Sequence, residues 1–117
     1  MAYIGRLAVL RNSLEIAAIR KEGQSFSNRF LVLVTRKNTE NEARYAVIAS
    51  RKVGGAVERN RCKRRMRSRV KMLANRIAKD HNFVLIARPE LLQVDAITLD
   101  KSIVQLFQRA GLLNTNE

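Results

Sequence analysis

The chain has 117 residues, of which 46% are hydrophobic, so it can bury a core of its own and is not expected to be disordered. Lysine and arginine outnumber aspartate and glutamate by 23 to 10, which gives a formal net charge of +13. A domain this basic favours nucleic acid or an anionic membrane as its partner. No apolar run approaches the ~20 residues that span a bilayer. We therefore expect one cytoplasmic domain over residues 1–117, with no membrane association.

Residue types that many catalytic and metal sites require are scarce. Cys62 is the only cysteine and His81 the only histidine, which excludes an intramolecular disulfide and a cysteine-based zinc cluster. The apolar stretch at the start of the chain is too short, and too often interrupted by polar residues, to be a secretory signal peptide. No constellation of side chains in the sequence would hydrolyse a phosphodiester unaided. We expect no catalytic residue and no metal site made by the protein alone.

A short helix is the first predicted element, over residues 12–22. Asn12 followed by Glu15 has the spacing of a capping box, in which each side chain satisfies a backbone N–H of the first turn. Gly23 is suited to end the helix in the left-handed conformation.

Two β-rich segments follow the helix, at residues 29–36 and 44–50. The polar turn between them predicts that the second strand returns antiparallel to the first. Alternation places Ala46, Ile48 and Ser50 on one face of the second strand. These side chains are small or polar, which suits the floor of an open groove.

The second half of the chain predicts a long helix, a strand and a last helix. Gly54 and Gly55 break the preceding strand, and the long helix extends from about Val57 to Ala78 because apolar residues recur at helical spacing (Cys62, Met66, Val70, Leu73 and Ile77). Residues 82–88 read as a strand buried on both faces, and residues 95–110 as an amphipathic helix that ends at Gly111. Elements in this order predict an α+β fold, with helices packed on a small sheet.

Residues 51–71 contain ten lysines or arginines and one acidic residue. A helical wheel separates the cations into two flanks beside the apolar stripe, one with Asn60, Lys63, Arg67 and Lys71, with Arg64 next to them, and the other with Arg61, Arg65 and Arg69. Like charges one turn apart cost about 0.2–0.5 kcal/mol per pair, which an ordinary solvated helix relieves with glutamate. A membrane-surface helix is disfavoured because the stripe lacks Trp and Phe. Phosphate recognition is favoured, since an arginine fork binds two phosphate oxygens at once; charge alone leaves DNA and RNA open.

The spacing within this segment is more specific than its charge. Residues 59–67, RNRCKRRMR, match the pattern R-N-R-x-K-R-x-x-R, which is the signature of a known family. Three further features occur in the same order as in that family: the lead-in RKVGGAV, the strand FVLIAR, and Leu106-Phe107 at the end of the last helix. Over about residues 7 to 113 the chain resembles the bacterial ribonuclease P protein family. The resemblance implies an α/β sandwich of order αβββαβα, with a small four-stranded sheet and a left-handed βαβ crossover.

The resemblance also implies a function and two surfaces. Family members bind the catalytic RNA of ribonuclease P and the 5′ leader of precursor tRNA; the RNA hydrolyses the substrate with Mg²⁺ held mainly by RNA and substrate, and no obligate protein partner is expected. The implied catalytic-RNA surface comprises Arg59, Asn60, Arg61, Lys63, Arg64, Arg67 and Lys71. The implied leader cleft comprises Ile16, Arg20, Phe30, Val32, Val34, Ile48, Ser50, Arg51 and Lys52.

Two features of these surfaces stay open at this point. The family commonly offers aromatic residues to the cleft, whereas this chain has Ile16, Arg20 and Val34 there, so we expect apolar contact and charge to replace stacking, with Phe30 as the one aromatic. The same apolar residues also fit an ordinary core. The flank with Arg61, Arg65 and Arg69 faces either solvent or a different RNA segment.

Two other functions fit the composition. A basic ribosomal protein, or another protein that binds structured RNA, would share the charge and the basic helix. A nuclease that acts without RNA would require cleavage by the protein alone.

Overall fold

The structure is a computed structural model that describes residues 7–114. Its helices are α1 (Ser13–Glu22), α2 (Ala56–Leu73) and α3 (Ala96–Arg109), and its strands are β1 (Ala8–Val9), β2 (Gln24–Ser27), β3 (Leu31–Lys37), β4 (Arg44–Ile48) and β5 (His81–Ala87). Short 3₁₀ helices occupy Ala74–Arg76 and Pro89–Leu92. The α+β class is confirmed. From α1 onward the order is αβββαβα, and β1 makes a fifth strand beyond the four expected.

The strands form one sheet in the order β1-β4-β5-β3-β2. The predicted antiparallel direction of β4 relative to β3 is confirmed, but the two strands do not pair directly, because β5 lies between them, antiparallel to β3 and parallel to β4. The reason is burial: Phe83, Val84 and Leu85 of β5 are each 0% exposed, and only a central strand is covered on both faces. The parallel strands β4 and β5 are joined through α2, and the left hand of that crossover stays a prediction.

Helices cover both faces of the sheet. The larger core lies between one face and helices α2 and α3, and a smaller core lies between the other face and α1. On the α2 side, the predicted stripe is confirmed, with Cys62, Met66 and Val70 at most 1% exposed. Helix α2 ends at Leu73, not Ala78, since Ile77 adopts an extended conformation and forms a β-bridge to Leu113. No helix within residues 7–114 is both long and apolar enough to cross a bilayer.

Both ends of helix α1 are defined by specific residues, and its C-terminal end lies close to the sheet. Asn12 caps the start as predicted, but the Glu15 carboxylate accepts a hydrogen bond from Arg44 Nη2 at 2.9 Å instead of completing a capping box. The helix ends before Gly23 as predicted, but Gly23 has φ −78°, so the predicted left-handed conformation is wrong. Glycine is required there for close approach, because a Cβ at residue 23 would lie 2.5 Å from the carbonyl oxygen of Thr35 in β3. The predicted glycine stop after α3 is confirmed at Gly111, with φ 72°.

Replacing Gly23 by alanine tests this close approach. Gly23→Ala would force α1 away from β3, and we expect the free energy of unfolding to fall by about 1–3 kcal/mol, measured by urea denaturation. Gly111→Asn is the control, because asparagine tolerates the left-handed conformation and the site is open within 4 Å, so its loss should stay below about 1 kcal/mol. Equal losses in both variants would contradict a steric role for Gly23.

Candidate nucleic-acid interface

The burial of the α2 stripe leaves one flank of the helix without partners inside the protein. We call this the free flank: Asn60, Lys63, Arg64, Arg67 and Lys71. Within residues 7–114 these side chains make no hydrogen bond or ion pair with another side chain or with the backbone, and all are exposed except the half-buried Lys63. The helical wheel therefore predicted that these five residues share one side of α2, where no described acidic side chain neutralises the four cations among them.

Helix α2 packs against β4 and β5. Burial raises the pKa of Tyr45 in β4, and the positive charge of Arg67 on the free flank opposes that rise.

The opposite flank is used inside the fold. Arg65 donates from Nη1 to the carbonyl of Leu91 at 2.6 Å and from Nη2 to that of Val94 at 2.7 Å. Arg69 Nε donates to Asp100 Oδ1 in α3 at 3.0 Å. Burial lowers the pKa of Arg65, and the charges of Arg69 and Arg61 add to the effect. The expectation that this flank faces solvent or RNA is wrong for Arg65 and Arg69, while Arg61 is exposed.

Arg59, the first residue of the motif, supports the turn before α2. Its Nη1 donates to the carbonyl of Gly54 at 3.1 Å, and the side chain is partly buried. Gly54 has φ 147°, a conformation that residues with a side chain rarely adopt. The Glu58 carboxylate accepts a hydrogen bond from Gly55 N at 2.9 Å and so completes the turn. Arg59 therefore connects α2 to the end of β4 instead of joining the free flank.

A half-buried aliphatic surface lies on the other face of the sheet, beside α1. Ile86 of β5 pairs in register with Val32 of β3 on one side and Ile48 of β4 on the other. The three side chains form a half-buried row, and Ile16 of α1 packs against the same small core. We call Ile16, Val32, Ile48 and Ile86 the apolar groove. Ile86 was not among the predicted cleft residues, because a strand read as buried on both faces gives no reason to select one face.

Two predicted cleft residues lie elsewhere. Val34 is 4% exposed and belongs to the core beneath α1. Phe30 packs against the larger core on the opposite face. The reason is Asn28, whose side-chain oxygen accepts hydrogen bonds from the backbone N–H groups of Phe30 and Leu31 and forms a turn before the strand begins. Alternation therefore does not extend back to residue 30.

The groove is lined by aliphatic side chains. All the aromatic residues within residues 7–114 belong to or pack against the larger core: Phe26, Phe30, Tyr45, Phe83 and Phe107. The expectation that apolar contact replaces stacking agrees with this arrangement.

Exposed polar and charged residues lie on or directly after the elements that form the groove. Arg20 is exposed on α1, and the exposed residues Ser50, Arg51 and Lys52 follow β4. Arg88, which sequence reasoning did not assign to the cleft, is exposed directly after β5, where its N–H donates to the carbonyl of Phe30. These cations place positive charge beside the apolar row.

The remaining candidate chemistry is limited to one thiol. Cys62 is 0% exposed. Burial raises its pKa, and the charges of Arg65 and Arg61 oppose that rise. Within residues 7–114 no three His, Cys, Asp or Glu side chains are arranged to hold a metal ion.

The chain is similar to proteins of one family along nearly its whole length. A family model described as Ribonuclease P matches residues 4–111. The ribonuclease P protein component of Clostridium beijerinckii is 33% identical over 115 residues, which cover 92% of each chain. That of Symbiobacterium thermophilum is 36% identical over 105 residues, covering 89% of this chain and 91% of the relative.

Solved structures agree with the sequence relatives. The RNase P protein of Staphylococcus aureus superposes with a TM-score of 0.80 at 25% identity, over 93% of this chain and 100% of that one. The RNase P protein of Thermotoga maritima superposes with a TM-score of 0.78 at 31% identity, over 89% and 97% of the two chains. From the motif on α2, the fold and these similarities, we conclude that the chain belongs to the ribonuclease P protein family.

Proposed function

We propose that this chain is the protein component of ribonuclease P, with the free flank of α2 bound to the catalytic RNA and the apolar groove holding the 5′ leader of precursor tRNA. In this proposal the RNA performs the hydrolysis, and Mg²⁺ is held mainly by the RNA and the substrate. The protein acts in the cytoplasm without an obligate protein partner. The observation that carries the proposal is a row of cations on α2 that no described acidic side chain neutralises.

The free flank suits a phosphodiester backbone. Lys63, Arg67 and Lys71 follow one another at intervals of one helical turn, about 6 Å along the axis. A stiff helix holds the cations at this spacing, and phosphate contacts of this kind position a protein on RNA without reading its sequence. Releasing the counterions of the RNA supplies much of the binding free energy, so the affinity should depend steeply on salt.

The apolar groove suits an unpaired strand. Its floor is a continuous aliphatic row from β3 to β4, and cations follow β4 and lie on α1. Bases can rest on the row while the phosphates face Arg20, Arg51 and Lys52. Since aliphatic side chains do not stack on bases as aromatic rings do, we expect the leader to contribute less affinity here than in relatives with aromatic clefts.

Reconstitution tests the proposed function. The protein is added to a bacterial ribonuclease P RNA at low Mg²⁺, and release of the 5′ leader from precursor tRNA is measured. We expect strong stimulation over the RNA alone. Lack of stimulation, together with co-sedimentation on ribosomes, would favour a ribosomal protein instead. Cleavage of the RNA substrate by the protein alone would favour a nuclease that acts without RNA.

Removing two cations of the free flank should weaken RNA binding. For Arg64→Ala/Arg67→Ala we expect a loss of affinity for the ribonuclease P RNA and a decrease of about 2 in the slope of log K against log salt, because two phosphate contacts are lost. Filter binding at several salt concentrations measures both quantities. Lys21→Ala/Lys101→Ala removes the same charge from exposed sites on α1 and α3. An equal loss in that control would show that only net charge matters.

An aromatic residue in the groove should strengthen leader binding. Ile16→Phe offers a ring to an unpaired base, which is worth about 1–3 kcal/mol, or about 5- to 150-fold in affinity. The dissociation constants of the reconstituted holoenzyme for precursor tRNA with and without its leader measure the effect, which should be confined to the substrate with the leader. Ala17→Phe, at an exposed position on α1, is the matched control. A similar gain from Ala17→Phe would place the leader outside the groove.

A further inference from the structure

Besides its buried stripe, helix α2 is bonded to elements distant in the chain along one flank. Arg65 binds two carbonyl oxygens at the end of the 3₁₀ helix Pro89–Leu92 and just beyond it, at 2.6 and 2.7 Å. One helical turn later, Arg69 pairs with Asp100 of α3 at 3.0 Å. The free flank has no such contact to any residue between 7 and 114. Within residues 7–114, the side-chain hydrogen bonds and the ion pair that join α2 to distant elements are therefore on the flank away from the proposed RNA site, while Arg59 bonds to the turn just before the helix.

These hydrogen bonds fix the rotation of α2 about its axis, which burial of the apolar stripe alone does not fix. Burial of Cys62, Met66 and Val70 determines which side of α2 faces the sheet, but apolar contact is non-directional. Hydrogen bonds from a charged guanidinium to fixed acceptors are short and directional. Two of them, about 6 Å apart along the axis, resist rotation of the helix about that axis. The Arg69 side chain is only 15% exposed, so it is poorly placed to bind a phosphate itself.

We propose that Arg65 and the Arg69–Asp100 pair are positioning residues that set the rotation of α2 and thereby the direction in which the free flank meets RNA. The inference rests on the proposed function, since it assigns a role in the same RNA contact. A rotation of 10–20° already matters for a preorganised binding surface. The two clamps therefore contribute to RNA affinity without touching RNA.

Asp100→Asn separates positioning from electrostatics, because the two effects have opposite signs. The change removes one negative charge from a protein of net charge +13, so electrostatics alone predicts tighter binding to RNA. Loss of the clamp predicts weaker binding, by about three- to tenfold. Glu90→Gln is the matched control: it removes an exposed acid that forms no side-chain hydrogen bond or ion pair within residues 7–114, and it should not weaken binding.

Arg65→Lys tests the second clamp with the charge retained. Lysine cannot fork onto both carbonyls, so we expect affinity to fall about three- to tenfold while the salt slope stays unchanged. Binding of a bacterial ribonuclease P RNA transcript is measured at a temperature where each full-length variant has the circular dichroism spectrum of the unchanged protein. If Asp100→Asn or Arg65→Lys binds as tightly as the unchanged protein, the positioning role of that clamp is refuted. If the unchanged protein itself fails to bind, the proposed function fails and the inference fails with it.

Discussion

Burial of the apolar stripe of α2 is the constraint on which both the fold and the proposed RNA surface depend. Cys62, Met66 and Val70 are at most 1% exposed, and they join α2 to the larger core. This stripe packs against β4 and β5 and takes up the buried side of α2. The cations of residues 59–71 therefore lie on the two flanks and on the outer surface of the helix. The same hydrophobic contact that stabilises the sheet therefore separates charge from core and concentrates it on a rigid element.

The two flanks then have different physical roles. On one side, Arg65 donates hydrogen bonds to two backbone carbonyls and Arg69 pairs with Asp100. These contacts hold α2 against α3 and against the 3₁₀ helix Pro89–Leu92. On the other side, the free flank keeps its charge available to a ligand. Repulsion among these cations opposes helix formation, and tertiary packing overcomes it. A bound polyanion would relieve that repulsion, which is consistent with the RNA contact proposed for the free flank.

The groove and the free flank lie on different faces of the sheet, but β4 connects them. Ile48 ends the strand on the groove floor, Arg51 and Lys52 follow, and the turn closed by Arg59 and Glu58 leads directly into α2. A single covalent path thus carries the aliphatic floor, its neighbouring cations and the basic helix. In the proposed function, this continuity allows one small protein to contact the catalytic RNA and an unpaired leader strand at the same time.

Local patterns in the sequence determined most of the secondary structure and the sorting of residues around α2. The helices, three of the five strands, the apolar stripe and the membership of the free flank follow from periodicity and motif spacing, because each depends on residues a few positions apart. Tertiary structure decided what depends on distant partners. Strand β5 lies between β3 and β4 because both of its faces must be covered. Arg65 and Arg69 become clamps because their acceptors, 26 to 31 residues away, are brought beside α2 only when the chain folds.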